Sequence, residues 1–532
     1  MSGAPTVKTS STCPVPLHER VSSLLHDYLR SLSDRSLPVV DFSSPDELKD
    51  VFENVGVKCQ FEKENEPSHS DDLLMEAIKV ILHKSVRTGH PQFFNQLYGR
   101  VNLVSLAGDW ISTATNTNGH TFEAAPVATV LEKEILEKFA NVVGGKYLNN
   151  GHNGLLVPGG SISNLYAMHV ARHYADPDIS TRGHYGGPRL IAYCSSSAHY
   201  SYLKTSRLIG LGSDNLRIIA CSAITGAMDV NVLRKTIEED VKNGCVPFFI
   251  GSTAGTTVVG GYDDFVTIHS ISQEFNIWHH VDACWGGAAM LSSKLRHPCC
   301  NGIELSSSIA WNPHKMLGCA LQTSIFLLST ATTNESNHKN NVTLKGVNAT
   351  SASYLFQPDK LFTEYDIGDK TIQCGRKTDS FKLWLMWKSL GDAGISKSIE
   401  KCYDLKKYMV EKMVEYNSKS DNGDSWVFVV PPSCTNICFW YVPNALKPFN
   451  PSNEKNNEDD GRLLLHKVAP RIKAKLQKNG GALIGFQTDT TVQNGDINFF
   501  RMVFSSCDTV DERDIDQTLL DIINIGEEDE RK

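Results

Sequence analysis

Between about residues 150 and 330 the chain alternates short apolar runs with amphipathic stretches, and this rhythm limits its possible folds more than any other feature. Strand candidates are residues 190–194, 216–221, 247–252, 277–282, 307–311 and 323–328. Between two of them lies a punctuated helix. Asp229 reads as its N-cap, Leu233, Ile237 and Val241 form one stripe, and Gly244 follows the end. Strands this short and apolar, separated by helices, are buried on both faces. The pattern predicts a largely parallel sheet with helices on either side. Sheets of that kind bind ligands beyond the carboxyl ends of their strands.

The chemistry-bearing residues fall at those ends. Lys315 follows one strand in Trp311-Asn312-Pro313-His314-Lys315. Asp282 closes another in Val281-Asp282-Ala283-Cys284-Trp285-Gly286-Gly287, and His199 follows the strand at 190–194. Upstream, Pro158-Gly159-Gly160-Ser161-Ile162-Ser163-Asn164 opens a helix that runs toward Pro177. Glycines let the backbone approach an anion, helix N–H groups and the dipole hold a phosphate, and Ser161 and Ser163 add hydroxyls. Each residue has a plain structural reading when taken singly. The glycines could form a capped turn, His199 could be a structural imidazole, Asp282 a cap or ion-pair partner, and Thr256 turn chemistry. Jointly, an amine, an acid, an imidazole and a phosphate cradle are what pyridoxal phosphate needs. The lysine forms a Schiff base with its aldehyde. The acid pairs with the pyridinium nitrogen, which keeps the ring able to accept electrons.

Bulk properties narrow the alternatives. A chain of 532 residues predicts two or three domains. A net charge of −8, with no basic face, argues against nucleic acid. The polar N-terminus is neither a secretory signal nor an Arg-rich transit peptide, and no run approaches the ~20 apolar residues of a membrane span. A cytoplasmic protein is expected. The 14 cysteines include no CxxC pair, so a structural metal is not expected, and most read as buried small hydrophobes. Without a secretory context, the sequons at Asn334, Asn341 and Asn348 are discounted. Residues 1–12 read as a disordered tail, and helical spacing follows over 17–35 and 71–85. Residues 331–351 are polar, with five asparagines, and suggest a mobile active-site loop or an insertion. A helix-rich part (381–416), strands at 426–430 and 436–441, a linker at 447–462 and a strand at 498–505 predict a smaller α+β C-terminal domain. The expected division is an N-terminal helical segment (1–95), a large cofactor-binding domain (96–383) and a small domain (384–532).

Several separated blocks resemble the pyridoxal-phosphate-dependent group II amino acid decarboxylases, the glutamate decarboxylase and cysteine sulfinate decarboxylase family. These are Asn312-Pro313-His314-Lys315-Met316, the segment 281–287, His90-Pro91-Gln92-Phe93-Phe94-Asn95-Gln96-Leu97, Ser353-Tyr354-Leu355-Phe356-Gln357, Gln373-Cys374-Gly375-Arg376 and Asn498-Phe499-Phe500-Arg501-Met502. They fall in family order from about residue 15 onward. The resemblance implies an α/β chain of the fold-type I pyridoxal-phosphate transferase fold, with a mostly parallel seven-stranded sheet in the large domain. It implies a homodimer with active sites at the interface. It makes Lys315 the Schiff-base lysine, Asp282 the pyridinium partner and His199 the stacking base, with Ala283 under the ring. Ser161, Ser163, Asn312 and His314 surround the phosphate, with Thr256 nearby. Gln96 and Arg501 face the substrate's acidic groups, as a bidentate guanidinium suits a carboxylate or sulfinate. Tyr354 lies in the family's mobile loop, which usually reaches the neighbouring subunit's site. Its hydroxyl can protonate the substrate α-carbon after CO2 leaves, giving an amine, whereas phenylalanine there would suggest an aldehyde-forming branch.

The residues divide on substrate. Tyr98 stands where glutamate-specific relatives usually have serine, and an aromatic there resembles the cysteine sulfinate and aspartate decarboxylases. Against this, Thr115-Asn116-Thr117-Asn118 resembles the glutamate enzymes, while His120 stands where relatives carry an aromatic. The reading leans to a short acidic substrate, cysteine sulfinate giving hypotaurine or aspartate giving β-alanine. Glutamate, giving γ-aminobutyrate, is the alternative, since one methylene is worth only about 1–3 kcal/mol in a pocket. An aromatic amino acid decarboxylase is disfavoured by Gln96 and the context of Arg501. A catalytically dead scaffold is disfavoured by intact Lys315, Asp282, His199 and Tyr354. A nicotinamide dehydrogenase lacks its GxGxxG signature.

Overall fold

The computed structural model describes residues 15–62, 65–149, 151–330, 343–350, 352, 354–420, 422–448, 450–451 and 459–528. The expected tail at 1–12, most of the stretch 331–351 and part of the linker 447–462 lie outside the described residues.

The apolar runs become a seven-stranded sheet. In chain order the twelve strands of the described residues are β1 (Phe93–Phe94), β2 (His152–Val157), β3 (Leu190–Ser195), β4 (Leu216–Ile219), β5 (Val246–Thr253), β6 (Trp278–Asp282), β7 (Ser308–Trp311), β8 (Ser324–Ser329), β9 (Trp426–Phe428), β10 (Asn436–Tyr441), β11 (Leu483–Gln487) and β12 (Phe499–Val503). The larger sheet has the order β2-β8-β7-β6-β5-β3-β4. Only β8 runs against the others, pairing antiparallel with β2 and β7. The parallel ladders β3–β4, β3–β5, β5–β6 and β6–β7 are linked by helices, and β3, β6, β7 and β8 are buried along their whole length. The fold class is thus the expected α/β arrangement. Asp229 caps the helix Val230–Lys242 through Asn231 and Val232 N–H, as its sequence predicts.

Strand β2 has no counterpart among the sequence-based strands. Its run His152-Asn153-Gly154-Leu155-Leu156-Val157 starts polar and holds a glycine, so its apolar part is too short to stand out. It lies at the sheet edge, where its first two residues are only partly buried.

The second sheet has the order β1-β11-β12-β10-β9. Its first strand, Phe93–Phe94, comes from the N-terminal segment and pairs parallel with β11. The expected helix over 381–416 is observed as Ser380–Ser418, broken at Gly391, whose φ of 62° is left-handed. Arg35 reaches from the N-terminal segment to Asp514 at 2.7 Å and Asp511 at 3.0 Å, which ties it to the C-terminal helix Glu512–Gly526.

Candidate active site

Five strands of the large sheet deliver residues to one edge. After β2 come Gly160 and Ser161, after β3 His199 and Tyr200, and at the end of β5 and beyond it Thr253, Gly255 and Thr257. The end of β6 supplies Asp282, Cys284 and Trp285, and the turn after β7 supplies Asn312 and Lys315. Together they line a cavity of about 140 Å³. Of the sequence-predicted residues, Ser161, His199, Asp282, Asn312 and Lys315 meet around it.

Asp282 is buried, yet its neighbours keep it charged. Burial alone would push its carboxyl up. Lys315, the Asn164 amide, His199 and the Cys284 N–H outweigh that and hold it below the ordinary range. Asn164 donates to one carboxylate oxygen at 2.8 Å and Cys284 N–H to the other at 3.1 Å. Burial lowers the pKa of His199, which leaves the ring neutral near pH 7. Its Nδ1 receives the Ser201 N–H at 3.2 Å, so the ring hydrogen sits on Nε2.

The glycine-rich end fits a phosphate. Gly159 takes φ 104°, and a Cβ built there would meet nothing within 4 Å, so this backbone borders open space at the start of the helix Gly160–Ala175. Two buried polar atoms beside it, Ser163 Oγ and Asn312 Oδ1, have no hydrogen-bond partner among the described residues. Buried polar atoms are rarely left so. An amide and a hydroxyl with unused hydrogen-bonding capacity, an ionised buried acid, a neutral imidazole and a lysine amine, at or beside one cavity, are the groups that pyridoxal phosphate requires.

Arg501 stands in β12 of the smaller sheet, facing this edge. Its guanidinium donates to Thr257 O at 3.1 Å and to Asn95 O at 3.2 Å, and Thr257 lines the cavity. Nε is buried without a partner, and no carboxylate of the described residues pairs with the group. Burial lowers its pKa. A desolvated, unpaired cation of this kind calls for an anion. Gln96 is close by: Ser505 Oγ is shared between Leu97 O at 2.8 Å and Lys315 O at 3.1 Å, which sets the segment around Gln96 beside the lysine turn.

Other predicted residues do not line the cavity. Thr256 spends its hydroxyl on the Gly261 N–H within its own turn, at 3.0 Å. Ala283 points toward Gly287, as strand alternation requires between Asp282 and Cys284. His314 is held by the Thr323 N–H at 3.1 Å, and burial brings its pKa down to about 4. The ring of Tyr98 lies 6.3 Å from that of Phe93, in a small cluster with Val39 and Leu483, and does not line this cavity. Asn118 and His120 belong to another neighbourhood. Asn118 Oδ1 accepts from Arg376 N–H at 2.9 Å, and the His120 carbonyl accepts from Ile367 and Gly368 N–H. Tyr354 is 79% exposed, two residues from Phe356, which packs on Gly368. None of these three residues lines its own chain's cavity.

Sequence reasoning assigned no role to Asn164, Ser201, His280, Cys284 or Thr257. Two signals were available. Asn164 is one helical turn beyond Gly160, which puts it on the same face. His280 and Cys284 flank Asp282 at spacing two, the period of a strand.

The family model described as the pyridoxal-dependent decarboxylase conserved domain matches residues 56–442. The fold is similar to that of mouse CSAD (cysteine sulfinic acid decarboxylase), with a TM-score of 0.85 and 34% identity over 96% of this chain and 98% of the other. Catharanthus roseus tryptophan decarboxylase in complex with L-tryptophan has a TM-score of 0.76 at 23% identity, covering 97% and 99% of the two chains. Oryza sativa TDC with PLP and tryptamine has a TM-score of 0.76 at 22% identity with the same coverage. These last two share the fold.

Proposed function

The chain belongs to the pyridoxal-dependent decarboxylases, and on that premise we propose that it removes the α-carboxylate of a small acidic L-amino acid, cysteine sulfinate or aspartate. Pyridoxal phosphate is its cofactor and carboxy-lyase chemistry its activity. The observation that carries the acidic substrate is Arg501, a buried guanidinium beside the cavity with no carboxylate partner among the described residues. The similarity to mouse CSAD supports the shorter acids over glutamate.

When bound, the cofactor supplies an electron sink that takes up the electron pair released as CO2 departs. The protein's residues do the rest. Lys315 supplies the amine to which the cofactor is tethered. Asp282, held ionised, would pair with the ring nitrogen and keep its proton in place. His199 offers a neutral ring and an Nε2–H. Ser161, Ser163 and Asn312, with the first turn of the helix Gly160–Ala175, hold the phosphate. Arg501 and Gln96 bind and orient the substrate's acidic groups, and Tyr354 delivers a proton to the α-carbon.

Tyr354, Asn118 and His120 do not line their own chain's cavity, which supports a homodimer in which each chain completes its partner's site. An apolar face carrying exposed Leu103, Trp110, Ile111 and Val127 provides surface for such a partner. Domain limits at 96–383 and 384–532 are proposed on the same footing, with Phe93–Phe94 lent to the smaller sheet.

A competition assay tests the substrate. Full-length protein with added pyridoxal phosphate receives equal L-cysteine sulfinate, L-aspartate and L-glutamate, and the amines are quantified. Mostly hypotaurine or β-alanine is expected. Mostly γ-aminobutyrate would replace the proposal with glutamate decarboxylation.

A further inference from the structure

Beside the cavity-lining Asp282 runs a chain of buried hydrogen bonds that begins at Trp278, at the other end of β6. Trp278 Nε1–H donates to Ser308 Oγ at 2.8 Å, and Ser308 Oγ meets His280 Nδ1 at 2.9 Å. His280 Nε2 meets Asn164 Oδ1 at 3.0 Å. The Asn164 Nδ2 group reaches Asp282 Oδ2 at 2.8 Å and Ser201 Oγ at 2.9 Å, and Ser201 Oγ meets His199 Nδ1 at 2.9 Å. Asn164 is 1% exposed and His280 and Ser308 are fully buried.

Donor and acceptor roles follow from the ends. An ionised carboxylate accepts only, so the Asn164 atom facing it carries hydrogens. Those two hydrogens go to Asp282 and Ser201, which leaves Oδ1 to accept from His280 Nε2–H. His280 is buried with its pKa brought down to about 4, so it is neutral and its Nδ1 accepts from Ser308. Ser308 accepts in turn from Trp278, a group that can only donate. At the other end, Ser201 accepts from Asn164 and gives its hydrogen to His199. Every hydrogen is used once, and reversing any one link leaves two donors or two acceptors face to face.

We infer that Asn164 is a positioning residue that fixes both groups facing the cofactor at once, holding Asp282 as a donor-bound anion and, through Ser201, locking His199 as the Nε2–H tautomer. This rests on the reading of Asp282 and His199 given above. Charged or titratable groups facing Asp282 from its surroundings are Lys315 on the turn after β7, His199 and Tyr202 at the start of the helix Ser201–Leu208, and His280 and Cys284 beside it in sequence.

The discriminating variant is Asn164→Asp. It keeps the shape and still accepts from His280, but when ionised it turns an oxygen without hydrogen toward Asp282. Taking up one proton restores a donor there. Cofactor affinity of the full-length variant, measured by equilibrium dialysis against pyridoxal phosphate, is expected to fall roughly ten- to a hundredfold at pH 8 and to recover toward wild type by pH 6. Asn164→Leu, which no proton can repair, is expected to stay weak at both pH values. A pH-independent loss in Asn164→Asp would reduce Asn164 to a packing residue and overturn the inference. Wild-type affinity in Asn164→Asp alongside weak binding in Asp282→Asn would overturn it too, leaving the site reading intact. Wild-type affinity in Asp282→Asn would instead sink the reading beneath it. Nitrogen NMR of 15N-histidine-labelled wild-type holoprotein needs no variant. His280 and His199 are expected as neutral Nε2–H tautomers, and an Nδ1–H signal for either breaks the chain.

Discussion

Arg501→Met separates binding chemistry from structure. A guanidinium carries five N–H groups. Arg501 spends two on Thr257 O and Asn95 O, and Nε–H is buried without a partner. A substrate carboxylate or sulfinate can take two of the remaining three in a forked contact. Removing the guanidinium leaves that anion desolvated and unpaired, at about 3 kcal/mol, or on the order of a hundredfold in kcat/KM. The folded protein alone should feel much less. Losing two neutral-acceptor hydrogen bonds costs about 1 kcal/mol each, and relief of a desolvated cation with an orphaned Nε offsets this. Steady-state kinetics on the three acidic amino acids, cofactor affinity and thermal unfolding would be read together. The expected outcome is a hundredfold fall in kcat/KM with pyridoxal phosphate affinity and melting temperature near wild type. Arg501→Lys keeps the charge without the fork and should fall in between. Undiminished kcat/KM in Arg501→Met would refute the contact. An equal loss of cofactor affinity or a large fall in melting temperature would show that Arg501 serves the fold.

Lys315→Ala should abolish both turnover and the visible absorbance of bound cofactor. Retention of either moves the tethering amine elsewhere. Tyr354→Phe should leave that absorbance intact while shifting product from amine toward aldehyde and ammonia, and wild-type amine formation would remove Tyr354 from proton delivery. Co-expressing Lys315→Ala and Tyr354→Phe chains tests the shared site. Random pairing in a symmetric dimer regenerates about a quarter of the wild-type sites, whereas sites built within one chain regenerate none. For pH, His280 has its folded pKa brought down to about 4 from 6.5 by complete burial. The unfolded chain then binds the extra proton first, so stability is present above pH 6.5 and is lost as pH falls from there to 4, by about 3 kcal/mol in full. Denaturant unfolding of wild type and His280→Gln at pH 7 and pH 4.5 reads this, and equal acid destabilisation of the two would reject it.

What could be read without coordinates follows the physics of strands. Six apolar runs were legible because a strand buried on both faces is apolar along its length, and their boundaries came within one residue except at 216–221, where the strand stops at Ile219. Strand β2 was hidden by its polar first half, and β1 by being two residues long. Lys315, Asp282 and His199 stood out because they end apolar runs. Asn164 and Ser201 do not; the helical spacing from Gly160 puts Asn164 on the right face, but it does not reveal that its amide hydrogens go to residues 37 and 118 positions away. Tyr98 stands next to Gln96 and Leu97 in sequence, and its ring packs 6.3 Å from that of Phe93, a contact that no local pattern marks.

The direction of the strands explains why the site assembles where it does. Strands β2, β3, β5, β6 and β7 all point the same way, so each discharges its following turn at a single edge. There Gly160, His199, Thr253, Asp282 and Lys315 come within one cavity although they span more than a hundred residues of sequence. Strand β8 runs oppositely and can meet this edge only with its beginning, and there Thr323 N–H holds His314 at 3.1 Å. The exceptional strand thus braces the lysine turn from below. Buried and backbone-bound, His314 is placed to fix the direction in which Lys315 leaves the sheet. A substitution such as His314→Ala should therefore disturb cofactor tethering through geometry, slowing the appearance of visible absorbance while leaving Asp282 and its amide partner in place. If tethering in His314→Ala proceeds at the wild-type rate, the turn is rigid without its brace and the strand-direction argument explains assembly but not alignment.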